Sequence, residues 1–128
     1  MLERSKHYKK IGDRLIRSLD EFEDIRGVKI AFLSSDEAKK KQMKIVFGEC
    51  IKVNKNYEWC CHYDFMIVIY EPNVIEFDDG QMETLIRHEL HHIGVKTESN
   101  EPSYYVVPHD IEEFDEIIAD KGIYWAGG

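Results

Sequence analysis

Cysteine is scarce in this chain: Cys50, Cys60 and Cys61 are the only three among 128 residues. They are too few and too unevenly spaced for a disulfide framework, and the adjacent Cys60 and Cys61 cannot readily form an ordinary structural bridge. Free, mostly buried thiols are the expectation. Long apolar runs are missing too. No stretch reaches the ~18 residues of a membrane helix, and the charged start (Glu3, Arg4, Lys6) leads into no apolar signal core, so neither a span nor a secretory leader is expected. Positive charge is in short supply, with 17 Lys and Arg against 25 Asp and Glu and a formal charge of -8. The deficit lies in the second part: residues 1 to 70 carry 14 basic and 11 acidic side chains, residues 71 to 128 carry 3 and 14. Nucleic acid is therefore not an expected partner, and the basic N-terminal segment reads as a solvated helix face. With 43% apolar residues and no repeat, low-complexity tract or linker, residues 1–128 are expected to form one soluble, cytoplasmic domain with one modest core.

Apolar residues at Leu2, Ile11, Leu15, Ile16, Leu19 and Phe22 recur at mostly three- and four-residue steps, predicting an amphipathic helix to about residue 24, ended by Gly27. Val28 to Leu33 reads as a strand with a turn over Ser34 to Glu37, and Lys41 to Val53 as a hairpin or meander. Phe65 to Tyr70 is a β-branched and apolar strand. Asp78, Asp79 and Gly80 mark a helix start, the helix running from Gln81 to Ile93 with Gly94 as its C-cap. Lys96 to Val107 reads as a polar loop leading to a last helix, capped by Asp110 with Glu113 at N3 and ended by Gly122.

The run His88-Glu89-Leu90-His91-His92 satisfies the H-E-x-x-H pattern. Residues four apart on a helix project about 40° apart, so His88 and His92 can aim both imidazoles at one ion. Glu89 projects to the side, where it can reach water on that ion without being a ligand. Met82, Ile86, Leu90 and Ile93 occupy another sector and can bury the back of the segment, so ligation and packing do not compete. His91 lies outside both sectors and reads as an exposed or outer histidine.

Two imidazoles leave a hydrolytic Zn²⁺ short of three protein ligands. His109, at the start of the last helix, is the leading third candidate, with Glu112 or Glu113 behind it and Asp110 or no third ligand last. Asp110 or Glu113 can orient the His109 ring through its distal nitrogen, although Glu113 serves equally well as a capping-box residue. Three ligands leave a coordination position for water, whose proton Glu89 can take as a peptide carbonyl is attacked and then deliver to the leaving amine. Tyr104 and Tyr105, in the connecting loop, are candidate oxyanion donors, with packing the simpler role. An extended peptide could add to an exposed sheet edge, with Phe65 to Tyr70 the candidate strand, and the acidic second part would favour basic or neutral peptides.

These residues give the chain a resemblance to zincin metallopeptidases, and more narrowly to the small gluzincin-like minigluzincins and the related phage metallopeptidase domains. The resemblance rests on His88 to His92, on Val107-Pro108-His109-Asp110-Ile111-Glu112-Glu113-Phe114, and on the strand, helix, loop, helix order over residues 65 to 121. It implies an α+β fold: a short twisted mixed sheet with an N-terminal helix, a metal-binding active-site helix and a third-ligand helix. It also implies His88, His92 and His109 as zinc ligands and Glu89 as general base. Most gluzincins use Glu as third ligand, so His109 would follow the minimal group. The lack of a third His shortly after Gly94 argues against the metzincin branch. Small members of this kind can be latent zymogens. Residues 122–128, with Tyr124 and Trp125, could obstruct the cleft within one molecule or across a homodimer, though anchoring the last helix is the simpler reading. The alternative to an endopeptidase acting on peptide or protein substrates is a noncatalytic zinc-binding regulatory or protein-interaction module.

Overall fold

The computed structural model describes residues 1–54, 62–96 and 102–108. The chain begins with strand β1 (Leu2–Arg4), followed by helix α1 (Lys6–Ser18) and a 3₁₀ helix (Asp20–Ile25). The single helix expected to residue 24 is thus divided at both ends. Leu2 to Arg4 pair antiparallel with Leu33 to Ser35. Ser5 then starts the helix, its hydroxyl accepting the Tyr8 N–H at 3.1 Å, as N-cap serines do. At the other end Leu19 is extended (φ -106°, ψ 124°), and the 3₁₀ segment turns Phe22 and Ile25 into the core.

Strand β2 (Ile30–Ser35) runs parallel to β6 (Phe65–Tyr70), and β5 (Gly48–Lys52) flanks β6 antiparallel, giving a four-stranded mixed sheet in the order β1-β2-β6-β5. Between β2 and β5 the short strands β3 (Lys40–Lys41) and β4 (Lys44–Ile45) form a separate hairpin. Strand β6 is central, so its nearly unbroken apolar run is accounted for by burial on both faces: Phe65, Ile67 and Ile69 have no exposure. This overturns Phe65 to Tyr70 as a substrate-binding edge, because both sides of the strand are already hydrogen-bonded, to β2 and to β5. The sheet edge that contacts the helix following β6 is β5.

A 3₁₀ turn (Glu71–Asn73) leads from β6 towards helix α2 (Asp79–Leu90). Asp78 and Gln81 form a reciprocal capping box, and Met82, Leu85, Ile86 and Leu90 join Phe22, Phe65 and Ile67 in one hydrophobic core. The segment beyond α2 differs from expectation. Instead of a helix to Ile93, a glycine cap and a loop, β7 (Ile93–Lys96) and β8 (Ser103–Val106) pair as an antiparallel hairpin, with Gly94 opposite Tyr105. The glycine is needed for close approach: a Cβ there would lie 2.4 Å from the Tyr105 ring. The architecture is a mixed α+β fold with a small mixed sheet. No helix among the described residues is long and apolar enough to cross a membrane.

Candidate metal centre

Helix α2 carries His88 and Glu89 in its last turn, and His92 follows just beyond its end. The helical path is extended to His92 by backbone bonds: His91 N–H donates to Arg87 and His88 carbonyls, and His92 N–H to the Glu89 carbonyl at 3.1 Å. The i, i+4 relation of the two histidines survives although the regular helix stops at Leu90. Their rings meet edge-on, centroids 4.9 Å apart, with the two Nε2 atoms at 3.3 Å.

A β-hairpin sets the orientation of His92. Its Nδ1 lies 2.6 Å from the Val107 carbonyl oxygen. A carbonyl can only accept, so Nδ1 carries the proton and, in the neutral ring, Nε2 presents a lone pair towards His88. Val107 N–H in turn donates to the His92 carbonyl at 2.7 Å, stapling the end of β8 to the histidine. A backbone carbonyl fixing the outward nitrogen is a common second partner for a metal-binding imidazole.

Glu89 completes the cluster, with Oε1 3.9 Å from His92 Nε2. Together His88, Glu89 and His92 offer one ligand atom each within 4.8 Å of one another, all three side chains buried. The Oε2 atom of Glu89 is buried and has no hydrogen-bond partner among the described residues. Burial, and secondarily the negative charge of Glu49, push the Glu89 carboxyl up to about 8. The donor set suits a small tetrahedral cation. Two nitrogens bound at ~2.0–2.1 Å to such an ion lie about 3.3–3.4 Å apart, close to the separation found here, and an ion would face both a buried lone pair and an unsatisfied carboxylate oxygen.

Strand β5 passes over this cluster. A Cβ on Gly48 would sit 3.5 Å from Glu89 Cγ and 3.2 Å from the Val68 carbonyl, so the glycine brings the strand close to the carboxylate. Cys50 on the same strand is pushed up to about 12, first by burial and then by Glu89. Glu49 is held by Lys39, whose Nζ is 2.5 Å from Glu49 Oε1. A cleft of about 600 Å³ opens beside His92, with β5 on one side and Val106 to Pro108 on the other.

The other expected site residues fall into three groups. Tyr104 packs edge-on against Phe65 at 5.9 Å, while Tyr105 lies below Lys96 Nζ at 5.2 Å; neither borders the cleft. His91 Nε2 meets Glu21 Oε2 at 2.5 Å, away from the cluster, and its ring contacts Phe22 at a tilt of 46°. His109, Asp110, Glu112, Glu113, Tyr124 and Trp125 lie outside the described residues, as do Cys60 and Cys61. The sequence reading missed Val107, whose contribution is a backbone carbonyl and leaves no side-chain signal. It also missed Gly48 and Glu49, although a glycine at the start of a strand can mark a close backbone approach.

No curated protein and no solved structure matches the chain. The family model described as putative phage metallopeptidase matches residues 1–126, nearly the full length, and the protein belongs to that family.

Proposed function

We propose that the protein is a zinc-dependent endopeptidase in which His88 and His92 hold the ion, His109 is the third ligand and Glu89 is the general base. The observation that carries this reading is the convergence of two buried imidazole nitrogens at 3.3 Å with a buried carboxylate beside them. Membership of a family described as phage metallopeptidase supports it. A zinc ion held there would supply Lewis acidity, acidifying water and polarising a peptide carbonyl. The chain supplies the rest. The Val107 carbonyl keeps the His92 ring in the tautomer that binds through Nε2. Glu89 takes the proton of the attacking water and returns it to the leaving amine. Burial raises the affinity of Glu89 for that proton, while a cation held beside it would favour the ionised form that accepts it. Residues 122–128, through Tyr124 and Trp125, are proposed to restrain the full chain as a latency segment, within one molecule or across a homodimer.

The test combines metal analysis with cleavage of a peptide library. The expected result is one zinc per chain, chelator-sensitive hydrolysis, and a loss of about 100-fold or more in Glu89→Gln at unchanged zinc content. Undiminished cleavage by Glu89→Gln would overturn the base assignment. Stoichiometric zinc with no hydrolysis, even after removal of residues 122–128, would favour the noncatalytic metal-binding module.

A further inference from the structure

Acidic residues outnumber basic ones 25 to 17 in this protein, yet residues 39 to 44 hold four lysines and no acidic residue. They occupy the β3–β4 hairpin, and Lys39, Lys40 and Lys41 border the same cleft that contains His92 and Glu49. Only Lys39 is neutralised, by Glu49 at 2.5 Å, with its ammonium also over the Tyr70 ring. Lys40, Lys41 and Lys44 are exposed and have no ion-pair partner among the described residues.

The hairpin is held in place. Asn73 Nδ2 donates to the Lys39 carbonyl at 2.9 Å and to the Val46 carbonyl at 2.7 Å, clamping both ends of the hairpin to the segment after β6. Its two-residue turn puts Gln42 (φ 52°) and Met43 (φ 64°) in the left-handed region, where Asn-Gly would be the unstrained choice. Met43 is 95% exposed at the tip. A clamped, strained turn presenting unpaired lysines at the lip of a cleft is a defined recognition element.

We infer that the β3–β4 hairpin is a specificity arm that selects peptides with Asp or Glu beside the bond lying at the metal centre, through Lys40 and Lys41. The inference deepens the peptidase reading and rests on it for the word substrate, though the charge selection it describes is a binding property. It reverses the expectation of basic or neutral peptides, because net charge over half the sequence is less decisive than the charges that line the cleft. In water, charges further away than about a Debye length are screened, whereas those within the groove act at contact. Nucleic acid or an anionic lipid surface could also meet lysines, but the apolar wall at Val106 to Pro108 and the groove's continuity with His92 favour an extended peptide.

Three nonapeptides of one core sequence, flanked by Asp and Glu, by Ser and Gln, or by Lys and Arg, decide the matter. Their binding to the zinc-supplemented full chain carrying Glu89→Gln is measured by calorimetry, and their cleavage by the wild-type chain in parallel. Several weak, screened pairs should together separate the acidic from the basic peptide by about tenfold in affinity at 20 mM salt, shrinking towards two- or threefold at 300 mM. Replacing both Lys40→Glu and Lys41→Glu should abolish or invert the order while leaving hydrolysis of the Ser/Gln peptide within about twofold. Both positions are exposed, and unchanged circular dichroism would verify the fold. Cleavage of all three peptides at equal rates with equal binding would overturn the arm and leave the peptidase reading standing. Charge-ordered binding without cleavage, by the full chain and by the chain shortened by residues 122–128 alike, would sustain the arm and sink the peptidase. Equal peptide binding alongside salt-sensitive capture of a single-stranded oligonucleotide or of phosphatidylserine vesicles would assign the lysines to that surface and overturn the arm.

Discussion

Glu89 is a group whose usefulness and whose cost have the same origin, and replacing it with Gln separates them. Its side chain is 1% exposed and its carboxyl is raised from 4.5 to about 8, first by burial and then by Glu49. In the unfolded chain the proton leaves near 4.5; in the metal-free folded chain it stays until about 8. Between those values the native state binds more protons than the unfolded state, so stability falls as pH rises, by up to 1.36 kcal/mol per unit, and levels off above 8. The span of about 3.5 units sets a ceiling of about 5 kcal/mol, and relaxation of the surroundings around the ionised carboxylate brings the expected figure to roughly 3 kcal/mol. A Gln side chain has no such titration. Its buried amide contributes an offset that is the same at every pH, so the decisive quantity is the slope. Urea denaturation of the chelated wild type and Glu89→Gln from pH 5 to 9 should therefore show the variant gaining relative to wild type, the gap opening by about 3 kcal/mol across the range. Zinc should narrow the gap, because a nearby cation favours the carboxylate. A gap constant with pH would refute the reasoning.

Other parts of the fold give sharper single-site tests. Gly12 lies in α1, and a Cβ there would sit 2.3 Å from the buried Phe32 ring; Gly12→Ala should lose about 1–2 kcal/mol in chemical denaturation, overpacking outweighing the ~1 kcal/mol of helix propensity that alanine adds. Met43→Gly should instead gain about 1 kcal/mol by relieving a positive φ at an exposed turn, and a loss would mean that Met43 is packed in solution. Cys50, raised to about 12, should have only about 10⁻⁴ of its thiol ionised at pH 8; peptide-resolved alkylation of the native protein should then be over 100-fold slower at Cys50 than for a free thiol, and equal rates would count against the burial.

Much of the fold was legible because burial writes itself into periodicity. Strand β6 was readable as a continuous apolar run, and α2 from its Asp78 start and the spacing of Met82, Ile86 and Leu90, all buried. What escaped was decided by pairing across the chain. Leu2 supports a helical stripe as well as a strand, and only its pairing with Ser35 selects the strand. Gly94 fits a helix C-cap locally, but the hairpin it belongs to needs Tyr104 to Val106 opposite, a pairing that no local pattern announces. The order of strands was hidden for the same reason, since a buried run does not reveal which neighbours cover it.

The metal cluster was legible for a different reason: H-E-x-x-H encodes its geometry within five residues, so no long-range pairing had to be guessed to bring His88, Glu89 and His92 together. The environment that makes the cluster chemically competent was not encoded there. The His92 tautomer depends on the carbonyl of Val107, fifteen residues away, and the Glu89 carboxyl depends on a strand forty residues earlier, through Gly48 and Glu49. These contributions come from a backbone atom, a missing side chain and a charge already paired to Lys39. In the proposed site the identity of the two helix ligands is therefore local, whereas their orientation and the strength of the proposed base follow from how β5 and the β7–β8 hairpin close over α2. Substitutions in those strands should alter pH dependence and metal affinity without touching the motif itself.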